Sequence, residues 1–221
     1  MIIDFDIKNK NILVVGGGLE GYRKTLTFVK SGAKVVVISE KFSKNLLQLH
    51  EEKKLELQKE TIVDAVSFLN RFKNKIDLLV AITDNSKLND DLVISAKAKG
   101  IMVYAPHRPT LSNFSLPAVT KIGDVQIAIS TSGKSPAMAS FLRKKIEKII
   151  TPDDLLQIKL QSELRQIISK RIENYKTRKK FLYQVLEDQK IKNLLKEGKY
   201  QEGKEFAQKL IENYTSLNQN K

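Results

Sequence analysis

The sequence contains no cysteine among its 221 residues. Without thiols there can be no disulfide, thiolate metal site or cysteine nucleophile, and a reducing cytoplasm is the expected location. The two histidines, His50 and His107, are far apart in the chain, so no transition-metal site is predicted. Long apolar runs are also missing, so we expect no membrane span. Acidic residues near the N-terminus, where a signal peptide is basic, argue against such a peptide.

Acidic residues are fewer than basic ones, and the net charge is +14. The excess occurs in both parts of the chain: residues 1–150 carry 24 basic and 15 acidic side chains, and residues 151–221 carry 15 and 10. Nucleic-acid-binding arms concentrate their charge, so we do not expect a nucleic acid partner. A diffuse positive field attracts a small polyanionic substrate, although a solvated lysine-rich surface explains most of these residues.

A short apolar run, Ile12–Val15, leads directly into three consecutive glycines, and a fourth follows at Gly21. Gly16, Gly18 and Gly21 have the G-x-G-x-x-G spacing of dinucleotide-binding turns, between a predicted strand and a predicted helix. The first glycine permits a tight turn, the second lets backbone N–H groups approach a pyrophosphate, and the third permits close helix–strand packing. The positive N-terminal end of the helix then faces the phosphates. Glycine pairs also mark ordinary turns, but this context favours a dinucleotide site.

The second predicted strand, Lys34–Ser39, ends where a Rossmann βαβ unit carries the residue that meets the adenosine ribose. Glu40 stands at that position. A carboxylate accepts hydrogen bonds from the ribose hydroxyls and repels a 2′-phosphate, which favours NAD over NADP. Lys41 and Lys44 weaken this preference because they bring positive charge to the same place.

Three further strands are predicted: a short one at Leu55–Leu57, then Asp77–Thr83 and Ile101–Tyr104, with a helix over Ser86–Lys99 between the last two. Thr83 and Asp84 are suitable N-cap residues for that helix. They also stand at the carboxyl end of a strand, where open α/β sheets bind their ligands. A capping role and a cofactor contact are therefore both open for these two residues.

The alternation of strands and helices stops at a proline-containing loop, Ala105–Asn113. Beyond it, Leu116–Ile122 and Asp124–Ser130 flank a Gly-Asp pair and predict a β-hairpin. The next loop, Thr131–Ser135, has the composition of a phosphate-binding loop without the G-x-x-x-x-G-K-[ST] spacing, so we reject a P-loop. Its hydroxyl groups and lysine precede a proline-initiated helix, Ala137–Ile150, and could still hold carboxylates.

From Thr151 to about Tyr214 the pattern is helical, with interruptions predicted near Gly198 and Gly203. No heptad seam or internal repeat is visible. The predicted fold class is therefore α/β. Its domains are a Rossmann-type parallel sheet in residues 1–112, a small α+β domain in residues 113–150 and an all-helical domain in residues 151–221.

In this order, the motifs resemble those of the precorrin-2 dehydrogenase and siroheme synthase N-terminal family. The strongest match is ISTSGKSP at Ile129–Pro136, followed by Arg143. The others are the glycine turn with Arg23-Lys24, Ser31-Gly32-Ala33, Ala81-Ile82-Thr83-Asp84, Leu88-Asn89, and Asn113-Phe114 with Pro117. Each is weak alone, but the ordered set is specific. It covers residues 1 to about 150, and the helical region matches by position and character.

The resemblance implies a Rossmann domain, a central domain that forms a homodimer, and oxidation of precorrin-2 to sirohydrochlorin with NAD as the cofactor. Some members also insert Fe2+ to give siroheme. By position, Leu19 and Glu20, and Glu40 with Lys41, match the family's NAD contacts. The predicted cofactor site comprises Gly16, Gly17, Gly18, Leu19, Glu20, Gly21, Ser39, Glu40, Lys41, Thr83 and Asp84.

One position departs from the family pattern. Several bifunctional members carry an aspartate in the loop before the Phe-x-x-Pro segment, and His107 stands there in this chain. The departure puts iron insertion in doubt but not oxidation, because members that only oxidise also lack the aspartate. Histidine titrates near neutral pH, so we predict His107 as a general base or substrate positioner. A solvated loop histidine is the alternative.

The precorrin-2 substrate is a polycarboxylate, which suits the positive field. Its predicted contacts are Arg108, Thr131, Ser132, Gly133, Lys134 and Ser135, and Arg143 with Lys144 either adds to them or serves the dimer interface. Two alternatives stay open. One is a bifunctional dehydrogenase and sirohydrochlorin ferrochelatase, and the other is a non-enzymatic NAD-binding redox sensor with a basic helical tail.

Overall fold

The computed structural model describes residues 2–72 and 75–219. The chain forms two compact units, with the boundary between Leu116 and Pro117. The first unit contains a parallel sheet with helices, and the second contains a β-hairpin followed by helices. Along the chain, this is the predicted order of sheet, small antiparallel pair and helical region. The predicted α/β fold class is confirmed, while the division into three domains stays a prediction.

The sheet of the first unit has five parallel strands in the order β3-β2-β1-β4-β5. At the centre, Val15 of β1 lies opposite Ile38 of β2 on one side and Ala81 of β4 on the other. The central strands are apolar because helices cover both faces of the sheet. The strands are β1 Asn11–Val15, β2 Lys34–Ser39, β3 Glu56–Lys59, β4 Leu78–Ala81 and β5 Met102–Tyr104.

Two helices of the first unit end where a glycine takes a left-handed conformation. Helix α1 stops just before Gly32, with φ of 80°, and α4 stops just before Gly100, with φ of 74°. Such a conformation favours glycine because it has no Cβ. The helices of this unit are α1 Leu19–Lys30, α2 Lys44–Glu51, α3 Ala65–Asn70 and α4 Ser86–Ala98. A single 3-10 turn, Pro109–Leu111, lies in the loop after β5.

The second unit begins with a hairpin of two antiparallel strands, β6 Ala118–Ile122 and β7 Val125–Ile129. Its Gly-Asp turn is placed as predicted, and Gly123 has a φ of 54°. Helix α5, Pro136–Glu147, packs against both strands. Ser135 caps this helix, since its hydroxyl accepts a hydrogen bond from the Met138 N–H at 3.2 Å.

Four further helices pack around an apolar core in the rest of the second unit. The first begins with a capping box, in which the backbone N–H and hydroxyl of Thr151 hold the pKa of Asp154 below its usual value. The helices are α6 Pro152–Arg171, α7 Tyr175–Glu187, α8 Gln189–Lys196 and α9 Tyr200–Gln219. The fully covered core side chains include Leu160, Leu164, Ile168, Val185, Ile191 and Ile211.

One local prediction is wrong, and the structure decides against one alternative that the sequence left open. Helix α9 continues through Gly203, so only the interruption near Gly198 is observed. Gly203 lies in the first turn of α9 and faces α8, where a Cβ would lie at an ordinary van der Waals distance of 3.5 Å from Leu195. In the first unit, Asn85 caps α4 by accepting a hydrogen bond from the Leu88 N–H at 3.0 Å, and neither Thr83 nor Asp84 fills that role. Within the described residues, no helix is long and apolar enough to cross a membrane.

Candidate functional site

The strand order of the first unit reverses beside β1. The chain runs from β1 to β2 and β3 on one side, and then returns to the other side of β1 for β4 and β5. In open parallel sheets, ligands bind at the carboxyl ends of the strands beside such a reversal. A cleft of about 870 Å³ lies there, between the ends of β1, β2 and β4.

All eleven residues predicted to contact the cofactor line this cleft. They come from three places in the chain: the glycine turn, the loop after β2 and the loop after β4. The residues are Gly16, Gly17, Gly18, Leu19, Glu20, Gly21, Ser39, Glu40, Lys41, Thr83 and Asp84. The structure thus brings the predicted set together, and their contacts with a cofactor stay a prediction.

Two positions of the turn require glycine, because a backbone carbonyl oxygen lies too close to the place that a Cβ would take. A Cβ on Gly16 would lie 2.3 Å from the Ile82 carbonyl oxygen, and the φ of Gly16 is 131°. A Cβ on Gly21 would lie 2.2 Å from the Gly16 carbonyl oxygen. These contacts press α1 against the ends of β1 and β4 and hold its first turn at the cleft.

Gly18 differs from its neighbours because the space around it is open. Nothing lies within 4 Å of the place its Cβ would take, and its φ of −76° suits any residue. Gly18 is the N-cap of α1, so the first N–H groups of the helix have no partner inside the helix. Open space beside unpartnered N–H groups at the positive end of a helix fits a pyrophosphate. The nearby Glu20 carboxylate is paired with Arg23.

The loop after β2 is joined to the glycine turn. The Ser43 N–H donates to the Gly17 carbonyl at 2.8 Å, and a Cβ on Gly17 would lie 2.1 Å from the Lys41 carbonyl oxygen. Ser43 also lines the cleft, and its buried hydroxyl finds no hydrogen-bond partner among the described residues. No sequence pattern singles out this residue, since a serine just before a helix is usually explained as a cap.

A buried amide fixes the loop after β4. The Asn89 side chain is 2% exposed, and its oxygen accepts hydrogen bonds from the Thr83 N–H at 3.0 Å and the Thr83 hydroxyl at 2.7 Å. Its NH2 group donates to the Thr83 carbonyl at 2.9 Å. Asn89 thereby satisfies the polar groups of a loop that borders the cleft. In the sequence it stands out only by its position after Leu88 in one of the family motifs.

His107 and Arg108 lie beyond the end of β5, outside the lining of the cleft, and share one carboxylate. Nε2 of His107 lies 2.8 Å from one oxygen of Asp90 on α4, and the Arg108 guanidinium lies 2.7 Å from the other. The His107 side chain is 23% exposed, and its hydrogen bond to Asp90 fixes the orientation of the ring. A carboxylate only accepts hydrogen bonds, so this contact places a hydrogen on Nε2 and leaves Nδ1 as the acceptor in the neutral ring.

The remaining predicted substrate contacts form a compact loop in the second unit. The Thr131 hydroxyl donates to the Ser135 carbonyl at 3.0 Å and accepts from the Ser135 N–H at 3.1 Å. Ser132 and Gly133 complete the turn with φ of 52° and 78°, and Lys134 is exposed. On α5, Arg143 is paired with Glu147 at 3.1 Å. Among the described residues, no three His, Cys, Asp or Glu side chains are grouped closely enough to hold a metal ion.

Comparisons with known families cover most of the chain. Residues 3–118 match the model of a family described as "Putative NAD(P)-binding". Residues 123–149 match the model of a family described as "Sirohaem biosynthesis protein central". The first match covers nearly all of the first unit, and the second covers β7 and α5.

Similar proteins include a precorrin-2 dehydrogenase from Methanosarcina barkeri, which is 33% identical over 95% of this chain and 92% of that protein. A precorrin-2 dehydrogenase from Bacillus subtilis is 26% identical over 74% of this chain and 97% of its own length. A siroheme synthase from Nitrosococcus oceani is 30% identical over 84% of this chain, but the match spans only 38% of that longer protein. A solved structure, SirC, precorrin-2 dehydrogenase, has the same fold, with a TM-score of 0.70, 18% identity and coverage of 93% of this chain and 98% of that one.

The open space at Gly18 makes a sharp test of the cleft. We expect Gly18→Asp to fold normally, because its Cβ meets nothing and aspartate is a favourable N-cap. We expect it to bind NAD about 100-fold more weakly, because a carboxylate beside a pyrophosphate is a like-charge contact. Calorimetric titration with NAD and a thermal melt measure the two effects, and Gly18→Ala is the uncharged control. Normal NAD binding by Gly18→Asp would contradict the assignment of the turn.

Proposed function

The chain belongs to the precorrin-2 dehydrogenase family, and on that premise we propose that it oxidises precorrin-2 to sirohydrochlorin, with NAD+ as the hydride acceptor. The observation that carries the proposal is the glycine-turn cleft at the strand reversal, in a chain that aligns over nearly its whole length with a precorrin-2 dehydrogenase. The siroheme synthases are more than twice as long, so their further activities are not part of the proposal.

The cleft residues divide the work of holding NAD. The N–H groups at the start of α1 bind the pyrophosphate, and the Glu40 carboxylate accepts hydrogen bonds from the adenosine ribose. The unpartnered Ser43 hydroxyl adds a polar contact from the same loop. When bound, NAD+ supplies the hydride acceptor.

His107 is the proposed base. Removal of a hydride from the macrocycle leaves a cation that must lose a proton, and Nδ1 of His107 takes it. Asp90 holds the ring by its other nitrogen and stabilises the positive charge that the ring acquires. Asp90 therefore acts through His107 as a positioning residue, and it holds Arg108 in the same way.

The carboxylates of the substrate need cationic partners. We assign this role to Arg108 and to the loop Thr131–Ser135, in which the exposed Lys134 precedes the N-terminus of α5. Arginine binds carboxylates through two parallel hydrogen bonds, and lysine binds them as a point charge.

Two further statements belong to the same proposal. The domains are divided at residues 112 and 150, and the location is cytoplasmic.

We also propose that the chain forms a homodimer through the hairpin and α5. A sheet of two strands is marginal by itself, and apolar side chains remain uncovered beside it. Phe141 is 60% exposed and Ile149 is 65% exposed, and Val119 of β6 and Met138 of α5 are also exposed. A second copy of the same surface would cover them.

The enzymatic proposal is tested by incubating the purified chain with precorrin-2 and NAD+ and following the absorption spectrum. We expect sirohydrochlorin to appear with NAD+, more slowly with NADP+, and not with the Gly18→Asp variant. A parallel sample with Fe2+ and sirohydrochlorin, without NAD+, tests iron insertion separately. Failure to oxidise precorrin-2 while NAD binds normally would contradict the proposed function.

The pair His107 and Asp90 is tested by a double-variant comparison. We expect His107→Ala to lower kcat about 100-fold and Asp90→Asn roughly tenfold, with KM for NAD+ unchanged. Because both act on one proton transfer, the double variant should be no slower than His107→Ala alone. Asp91→Asn, on the next residue of α4 and exposed, is the matched control and should be unaffected. If the losses in kcat of the two single variants instead multiply in the double variant, Asp90 does not act through His107.

The proposed dimer surface is tested by placing a charge in it. Phe141→Glu should convert a dimer into a monomer in sedimentation velocity, because the interface would then bury an unpaired carboxylate. Phe5→Glu introduces the same change at a residue that is 53% exposed in the first unit, and it should leave the dimer intact. A monomeric parent chain, or a dimer that persists in Phe141→Glu, would contradict the assigned surface.

A further inference from the structure

A second depression of about 530 Å³ lies between α6 and α7 in the helical part of the chain. We refer to it as the α6–α7 groove. Its apolar lining residues are Ile168, which is fully buried, Leu182, and Leu186, which is 40% exposed; the other lining residues carry polar or charged groups. The lining residues are Gln161, Arg165, Ile168, Ser169, Tyr175, Arg178, Lys179, Leu182, Tyr183 and Leu186.

The groove is cationic. Arg165, Arg178 and Lys179 line it, and none of its lining residues is acidic. Residues 165–180 carry seven basic side chains against one acidic, which exceeds the whole positive excess of residues 151–221. Three of these seven basic side chains line the groove. Such a concentration of one sign attracts a polyanion.

The walls of the groove are held in place. The Gln161 side chain on α6 donates a hydrogen bond to the Leu182 carbonyl on α7 at 3.2 Å. The Arg178 guanidinium donates to the Ile172 carbonyl at 3.3 Å, across the connection between the two helices. A cationic side chain that is already held in place loses little conformational entropy when it binds an anion.

Flat aromatic surfaces are also present. Tyr175 is 65% exposed and Tyr183 is 54% exposed, although tyrosine rings normally bury much of their area. The Lys179 ammonium lies 5.8 Å from the centre of the Tyr183 ring. A ring face beside cations suits a ligand that is itself flat and carries carboxylates at its edge.

We propose that the α6–α7 groove binds one edge of a flat polycarboxylated macrocycle, the product of the oxidation. The chemical class follows from the lining, whereas the identity of the ligand as the product rests on the proposed function. The arginine and lysine side chains pair with the carboxylates, and the tyrosines and leucines contact the macrocycle. A single-stranded nucleic acid would instead require a continuous basic track with successive stacking rings.

The full chain with Tyr183→Trp provides a local reporter, because the sequence has no tryptophan. Uroporphyrin, a porphyrin with carboxylates around its edge, is the probe. We expect saturable quenching of the indole emission as uroporphyrin is added. Absence of quenching would overturn the proposal, provided that circular dichroism shows the variant to be folded.

Charge reversals in the same background identify the contacts. Arg165→Glu and Lys179→Glu should each weaken uroporphyrin binding by about tenfold or more. Lys170→Glu makes the same charge change on α6 outside the lining, and it should alter binding by less than about twofold. Arg178 is left unchanged because it also joins the two helices. Equal losses in all three variants would show a general field effect and overturn the site.

Competition and activity complete the test. An oligonucleotide or polyglutamate that displaces uroporphyrin at lower concentration would assign the groove to another polyanion and overturn the macrocycle. Precorrin-2 oxidation should be unchanged in Arg165→Glu and Lys179→Glu. A chain that binds uroporphyrin in the groove but does not oxidise precorrin-2 would overturn the proposed function and the product as ligand, but not the macrocycle site. A chain that oxidises precorrin-2 but does not bind uroporphyrin in the groove would overturn the macrocycle site and leave the proposed function intact.

Discussion

A side chain on Gly16, Gly17 or Gly21 would overlap a carbonyl oxygen, because each Cβ would lie between 2.1 and 2.3 Å from it. Through these close contacts, the end of β1 packs against the end of β4, against the loop after β2 and against α1. The position of the helix N-terminus, and therefore the shape of the cleft, depends on them. Gly18 is the exception, and its open surroundings are what a ligand requires. One short sequence thus contains both the packing requirement and the binding requirement.

Much of the fold could be predicted because it depends on local pattern. The buried parallel strands are short apolar runs, and β2 has the predicted bounds, Lys34–Ser39. Helices α1 and α4 end at Gly32 and Gly100, and a glycine at a helix end is a local signal because glycine favours the left-handed conformation. The same reasoning fails at Gly203, which lies inside α9 in a place where a Cβ would make only ordinary contacts. The presence of a glycine alone does not distinguish a helix end from a position inside a helix.

The candidate site was predictable to the extent that its residues lie at strand ends. The carboxyl ends of parallel strands meet at one edge of the sheet. The residues that line the cleft could therefore be predicted from the order of strands and helices along the chain. The contact of Asp90 with His107 joins residues seventeen positions apart on different elements, and no local pattern indicates it. The buried Asn89 was equally hidden, because a polar residue in an amphipathic helix is normally assigned to the solvent side. The excess of basic residues at 165–180 is present in the sequence, but acidic residues elsewhere in 151–221 offset part of it in the total charge of that region.

The joint between Gly17 and the loop after β2 has an evolutionary consequence. The Lys41 carbonyl fills the space beside Gly17, and the Ser43 N–H is bound to the Gly17 carbonyl. The loop proposed to bind the ribose and the turn proposed to bind the pyrophosphate are therefore joined and must move together. An insertion or a bulky replacement in the loop would displace the turn as well. A lineage that changes its preference between NAD and NADP is thus confined to exchanging exposed side chains such as Glu40, with the backbone path conserved.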